Sequence, residues 1–195
     1  MQKKKPNHLA DSRRDSIITA SQAWAVINDR KKLWQEKTKR ALPFQGNEAT
    51  EYGNLFEPHA LASFEDDHNC ILQEGDQLYV HEELPIGASP DGIYTEEKAV
   101  VECKCPFTQE LYLGIPDRYQ YQMQIQMFVT GFEKAYFYVW TPTEKSTEIV
   151  PYQPEFISWY IPLAKAFMEF VASDVEPPRW TKKPKWNFKL KEGNL

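Results

Sequence analysis

A chain of 195 residues with 42% hydrophobic and 14% aromatic side chains carries enough apolar mass for one folded domain, which excludes a disordered polypeptide. No run of about 18 apolar residues occurs, and the opening Met1-Gln2-Lys3-Lys4-Lys5 is followed by no apolar stretch, so neither a membrane span nor a secretory signal is expected. The net charge of −5 hides a division: residues 1–46 hold eleven Lys/Arg against four Asp/Glu, residues 47–176 six against twenty-three, and residues 177–195 six against one.

Basic ends suit contacts to phosphates and an acidic middle suits carboxylates that hold cations, with plain solubility as the bland alternative. The expected organisation is therefore one domain over 1–195: a basic N-terminal segment with the first helix (1–46), a core (47–176) and a basic tail (177–195). Cys70, Cys103 and Cys105 are odd in number, and no second pair completes a four-thiolate cage with Cys103 and Cys105. Reduced thiols in a cytoplasmic protein are expected.

The first helix is predicted to start near Thr19 or Ser21, with Gln22 placed for a capping box with Thr19, and to run through Trp24 and Ile27 past Arg30. Residues 41–50 read as a loop. A helix over 51–67 follows, with Phe56, Ala60 and Phe64 recurring every four residues. Strands are predicted near 77–81, 86–88, 92–95 and 98–104, punctuated by Gly75, Pro85, Gly87, Pro90 and Gly92. A helix over 117–130 gathers Tyr121, Ile125, Phe128 and Val129 on one face and ends at Gly131. Residues 134–141 are aromatic on both faces, as a central buried strand is, and another strand covers 146–150. The last helix, 154–173, carries the stripe Phe156, Trp159, Tyr160, Leu163, Phe167 and Phe170, and an irregular basic tail follows Pro177-Pro178. This order predicts an α/β domain with a central mixed sheet flanked by helices.

The chemistry concentrates in Ser89-Pro90-Asp91-Gly92 and Glu102-Cys103-Lys104. Side chains alternate along a strand, so Glu102 and Lys104 share a face, while Asp91 sits in a bend at the end of the neighbouring strand. Two carboxylates and an ammonium that converge on a sheet edge suit phosphodiester hydrolysis assisted by Mg²⁺. Lys104, beside two acids, is expected to stay protonated, orienting the attacking water and stabilising charge. The carbonyl of Cys103 is a further candidate oxygen ligand. Glu-x-Lys alone is a common surface ion pair; its Val100-Val101 flank argues for a buried strand, where such a pair is costly without compensation.

Pro90-Asp91 with Glu102-Cys103-Lys104 resembles the PD-(D/E)xK nuclease motif, and Cys105-Pro106-Phe107-Thr108 continues it as the phage lambda exonuclease and YqaJ-like viral recombinase branch does. Three more segments carry the resemblance: Arg14 to Ser21 (RDSIITAS), Tyr52 to Glu57 (YGNLFE), and Tyr121 to Gln126 (YQMQIQ). The blocks keep the family's order from Arg14 to about Trp140. The resemblance implies a restriction-endonuclease-like fold and a Mg²⁺-dependent enzyme, with Mn²⁺ as a substitute, that digests one strand of linear double-stranded DNA from its 5′ end. It further implies a 3′-tailed product for recombination, a single-strand annealing protein as partner, and a toroidal homotrimer.

By the same resemblance, Asp91, Glu102 and the Cys103 carbonyl hold metal and Lys104 serves catalysis. Glu57 projects towards the metal-bound water, Gln124 positions the nucleophile or the lysine, and Arg14, Ser21 and Ser89 bind a 5′-phosphate. From the residues alone, Glu57 also reads as a solvated glutamate, Gln124 as part of a polar stripe, Arg14 as a generic basic residue and Ser21 as a helix cap. The chain departs from the family at His81, where an aspartate precedes the motif by ten residues, and in a spacing from Asp91 to Glu102 one residue longer. Rival readings are a structure-specific or restriction-type endonuclease and a DNA-end-binding protein without turnover. An iron–sulfur nuclease is disfavoured by the three cysteines.

Overall fold

Lys134–Trp140 has no polar face because it is a central strand with helices on both sides. The structure is a computed structural model that describes residues 12–42, 45–75 and 77–188. Its strands are β1 (Ile18–Thr19), β2 (Gln73–Glu74), β3 (Tyr79–Val80), β4 (Ile86–Ala88), β5 (Gly92–Tyr94), β6 (Ala99–Lys104), β7 (Lys134–Trp140) and β8 (Lys145–Pro151). The helices are α1 (Ala25–Asn28), α2 (Arg30–Lys37), α3 (Glu48–His68), α4 (Asp117–Thr130) and α5 (Pro154–Ala172). The main sheet runs β2-β5-β6-β7-β8, with β6 and β7 parallel and the other pairs antiparallel; α4 is the crossover between the parallel pair. A smaller sheet, β1-β4-β3, joins β1 to β4 in parallel, Ile18 opposite Ile86.

Alternation along β6 and β7 divides the core. Ala99, Val101, Cys103, Tyr136 and Tyr138 face α3, packing on Ala60 and Phe64. Val100, Ala135, Phe137 and Val139 face α4, packing on Met123 and Met127. The other side of α4, through Tyr121 and Ile125, joins α1, α2 and α5 in a third layer with Val26, Leu33, Phe156, Tyr160 and Phe167. α4 is therefore apolar on two sides. The predicted stripe is its outer one, and the Met123–Met127 stripe was not anticipated.

The expected mixed sheet flanked by helices is observed, with the short strands β1 and β2 added and two differences among the helices. The first predicted helix is broken into a 3-10 turn (Ala20–Gln22), α1 and α2, because Asp29 leaves helical geometry at φ −145°, ψ 44°. The Thr19–Gln22 contact is present, the Thr19 N–H donating to Gln22 Oε1 at 3.2 Å. α3 starts earlier than predicted because Asn47 caps it, its Oδ1 accepting the Thr50 N–H at 2.9 Å.

The tail after Pro178 is irregular as expected, yet docked on the helical layer. Trp180 Nε1 donates to the Ile27 carbonyl at 2.9 Å, Arg30 lies over the Trp180 ring at 4.1 Å, and Trp186 packs against Phe156 and Trp159. The start of the basic N-terminal segment (1–11) and the last residues (189–195) lie outside the described residues. Among the described residues no helix is long and apolar enough to cross a membrane.

Candidate active site

The antiparallel register of β5 on β6 sets Gly92 opposite Val101, which brings Asp91, one residue before β5, beside Glu102 and Cys103. Asp91 Oδ2 accepts the Cys103 N–H at 2.8 Å, so the bend is tied to the strand. Gly75 abuts that bend: a Cβ there would lie 2.1 Å from the Pro90 carbonyl oxygen and 2.7 Å from the Asp91 carbonyl carbon.

Glu102 and Lys104 share the α4 face of β6, as alternation requires. Lys104 Nζ is paired with Glu102 Oε1, donates to the Cys103 carbonyl at 2.9 Å and lies 3.7 Å from Asp91 Oδ2. Three oxygens from two carboxylates and a main-chain carbonyl thus surround one positive charge. This is the donor set of a hard divalent cation, and the ammonium occupies the point on which those oxygens converge. Among the described residues no group of three or more His, Cys, Asp or Glu side chains could hold a metal. His81 supplies no carboxylate where the family aspartate was expected. Its ring stacks on Phe128 of α4 at 5.0 Å, and its Nδ1 accepts the Glu83 N–H at 3.1 Å.

Burial, then the negative charges of Glu102 and Glu57, push the Asp91 carboxyl up to about 8, with Lys104 and the Cys103 N–H opposing. Burial works against the Lys104 ammonium, but Glu102 and Asp91 outweigh it and raise its pKa, so the side chain stays charged. The Cys105 thiol is pushed up to about 11 by burial and by Glu57, and Cys103 is raised well above the usual thiol range by burial, so both remain thiols. Glu57 of α3 is half-buried and its charge is felt at Asp91 and Cys105, which places it on the border of the site.

Gln124 requires a correction. Its amide donates to the Pro151 carbonyl at 2.8 Å and accepts the Gln153 N–H at 2.8 Å, clamping the end of β8 to the start of α5. The glutamines that reach the site are Gln122 and Gln126, which donate to Glu102 Oε1 and Oε2, each at 2.6 Å. The reason is helical period: residues four apart share a face, whereas Gln124 between them points away. Glu102 is wholly buried, and these two amides satisfy both of its oxygens. The i, i+4 spacing of Gln122 and Gln126 is shared by Gln120 and Gln124, so spacing alone did not single them out.

Arg14 and Ser89 are brought together. Arg14 Nη2 donates to Ser89 Oγ at 2.8 Å, and Ser89 is two residues from Asp91. Ser89 directly follows β4, and Arg14 lies in the 3-10 helix Ser12–Ser16 that leads into β1, the strand paired with β4. Ser21 lies in the 3-10 turn that follows β1, exposed, with its hydroxyl 3.2 Å from Thr19 Oγ1. Lys37, missed by sequence reasoning, fixes the Arg14 segment by donating to the carbonyls of Arg14 (2.6 Å) and Ile17 (2.5 Å). Burial, with Arg14 adding to it and Asp15 and Glu36 opposing, pulls Lys37 down to about 8.

A mixed sheet between helices, with an aspartate at one strand end and Glu-x-Lys on the next strand, defines a protein of the restriction-endonuclease-like PD-(D/E)xK fold. Solved structures of that shape include LHK-Exo in complex with dAMP, which superposes with a TM-score of 0.72 at 24% identity over 85% of this chain and 92% of that one. A second structure of LHK-Exo, an alkaline exonuclease from Laribacter hongkongensis, gives 0.69 at 23% identity over 84% and 91%. A phage-related exonuclease from Haemophilus somnus gives 0.64 at 16% identity over 81% and 96%. No curated protein matches the chain by sequence. The chain belongs to the YqaJ-like viral recombinase domain family, whose model matches residues 10–133.

Proposed function

We propose that this protein is a Mg²⁺-dependent 5′-to-3′ exonuclease that digests one strand of linear double-stranded DNA, releasing 5′-mononucleotides and leaving a 3′ tail for recombination. The observation that carries this reading is the convergence of Asp91 Oδ2, Glu102 Oε1 and the Cys103 carbonyl on Lys104, with the Arg14–Ser89 pair two residues from Asp91. The exonucleases of like fold support it, LHK-Exo having been crystallised with dAMP.

Asp91, Glu102 and the Cys103 carbonyl would hold the metal, with Mn²⁺ able to replace Mg²⁺. When bound, the ion supplies Lewis-acid polarisation of the phosphoryl oxygen and lowers the pKa of a bound water. Lys104, charged throughout, orients the nucleophile and stabilises the developing negative charge. Glu57 borders the same space, and Gln122 and Gln126 hold Glu102 in its orientation. Arg14 and Ser89 receive the terminal 5′-phosphate: a guanidinium fork matches two phosphate oxygens, and a terminal phosphate carries about one more charge than an internal diester. Ser21 is a weaker candidate for the same pocket. A ring-shaped homotrimer with basic residues of the N-terminal segment lining its lumen reconciles an acidic chain with threaded DNA, and a single-strand annealing protein takes the 3′ tail.

The test is digestion of one duplex labelled at either 5′ end, with and without Mg²⁺, beside a covalently closed circle. Metal-dependent release of mononucleotides from the 5′ labels with the circle left intact supports the reading. Cutting of the circle, or tight binding of ends without product, rejects it.

A further inference from the structure

The ring of Tyr119, in the first turn of α4, is shared by two cations. Lys104 Nζ lies 5.3 Å and Arg118 Cζ 4.7 Å from its centroid, so the two charges are at most the total of those distances, about 10 Å, apart. Arg118 Nη2 donates to Tyr119 Oη at 3.1 Å, and that hydroxyl is 3.4 Å from Tyr112 Oη. The Arg118 side chain is thus oriented by a ring face and a hydroxyl, yet it is exposed and leaves most of its five N–H donors to solvent. No carboxylate pairs with it: among the described residues the ion pairs of arginine and lysine involve Lys31, Lys39, Arg40, Lys104, Lys134 and Lys145.

A pre-oriented guanidinium without an acidic partner, beside a site rich in carboxylates, is built for an anion brought by the substrate. Phosphates of one strand succeed each other at about 3.4 Å of helix axis, so a cation within about 10 Å of Lys104 is in range of a neighbouring diester when Lys104 faces the scissile one. We propose that Arg118, oriented by Tyr119 and Tyr112, is a subsite for an internal phosphodiester adjacent to the scissile bond, so that it sets how far the strand advances before cleavage. This rests on the nuclease reading above.

The experiment uses the full chain and a linear 5′-phosphorylated duplex in which one neutral methylphosphonate replaces the first, second or third diester on either side of the scissile bond. Wild type, Arg118→Ala, Arg118→Lys and Tyr119→Phe are compared for kcat and KM with Mg²⁺, and for binding by fluorescence anisotropy without divalent ion. Melting curves show that each variant is folded. Arg118→Ala is expected to lose roughly ten- to a hundredfold in kcat/KM, the range of one charge-assisted contact. At one position near the scissile bond the methylphosphonate costs wild type a similar factor and costs Arg118→Ala nothing further; elsewhere both lose alike. Arg118→Lys recovers part of the loss, and Tyr119→Phe, which removes the orienting hydroxyl, loses less than Arg118→Ala.

If losses multiply at every position, Arg118 contributes only general attraction and the subsite is rejected while the nuclease reading stands. If wild type digests nothing, the nuclease reading fails on its own, and anisotropy still decides the subsite by the same position-specific loss.

Discussion

Gly75→Ala tests whether the bend at Asp91 is held from outside its own segment. The added Cβ would meet the Pro90 carbonyl oxygen at 2.1 Å and both the Asp91 carbonyl carbon and the Gly92 nitrogen at 2.7 Å, whereas ordinary contact starts at 3.4 Å. The Pro90 carbonyl therefore has to retreat by about 1.3 Å, and it is backbone rather than a flexible side chain. A shift of that size carries Asp91 with it and stretches its 2.8 Å bond from the Cys103 N–H beyond hydrogen-bond range. Overpacking of this kind costs about 1–3 kcal/mol, a fall in melting temperature of roughly 2–12 °C for a chain of this size. Displacement of a site group by about 1 Å costs on the order of 10²-fold in rate. Circular-dichroism melting and initial rates on linear duplex read the two effects separately. Gly53→Ala is the control: it lies in α3 with nothing within 4 Å of its Cβ, and should raise stability by about 0.5–1 kcal/mol. A folded Gly75→Ala protein that cleaves at the wild-type rate refutes the reasoning.

Asp91→Ala or Glu102→Ala should abolish turnover while DNA binding persists, and Lys104→Gln should slow turnover by about two orders of magnitude without weakening metal affinity; calorimetric titration with Mn²⁺ beside rate measurements checks both. Gln126→Leu strands a buried Glu102 oxygen and should cost about 1–3 kcal/mol and weaken the metal, whereas Gln124→Leu should lower stability with metal affinity retained. Lys37 sits near 8 in the fold against 10.5 for the free side chain, so the unfolded chain binds more protons between those values. Stability should accordingly rise with pH from about 8 to 10.5, by up to about 3 kcal/mol, in chemical denaturation, and Lys37→Met should remove that rise. Arg14→Ala should shrink the preference for 5′-phosphorylated over 5′-hydroxyl duplex by roughly ten- to a hundredfold, with Arg13→Ala slowing both alike; equal slowing of both substrates by Arg14→Ala removes it as the end sensor.

The sequence revealed those parts of the fold whose causes are local. β6 could be read because alternation and the Val100-Val101 flank are properties of adjacent residues, and α5 because its aromatic stripe has one period. β2 could not: two residues, Gln73 and Glu74, are a strand only because β5 lies beside them, and Gly75 explains itself only when Pro90 is known to press on it. The single first helix failed for a similar reason, since the turns around Asp29 are packed against α5 and the tail rather than chosen by propensity. The choice of glutamine failed because one apolar stripe was assigned to a helix that has two. Met123 and Met127 face the sheet, and the glutamines flank that stripe on opposite sides, Gln122 and Gln126 towards Glu102 and Gln124 towards the end of β8.

That same helix shows why the site could be read and its support could not. A buried carboxylate, a buried thiol and a half-buried ammonium on consecutive residues of one central strand conflict with burial itself, and the conflict is visible in the letters Glu102-Cys103-Lys104. Its resolution is not, because each compensating group comes from elsewhere in the chain. Asp91 arrives from the preceding strand end and is tied by the Cys103 N–H; Gln122 and Gln126 arrive from the crossover helix, one for each Glu102 oxygen. Two glutamines on α4, rather than a second acid, satisfy the Glu102 oxygens without adding a charge that burial would have to support.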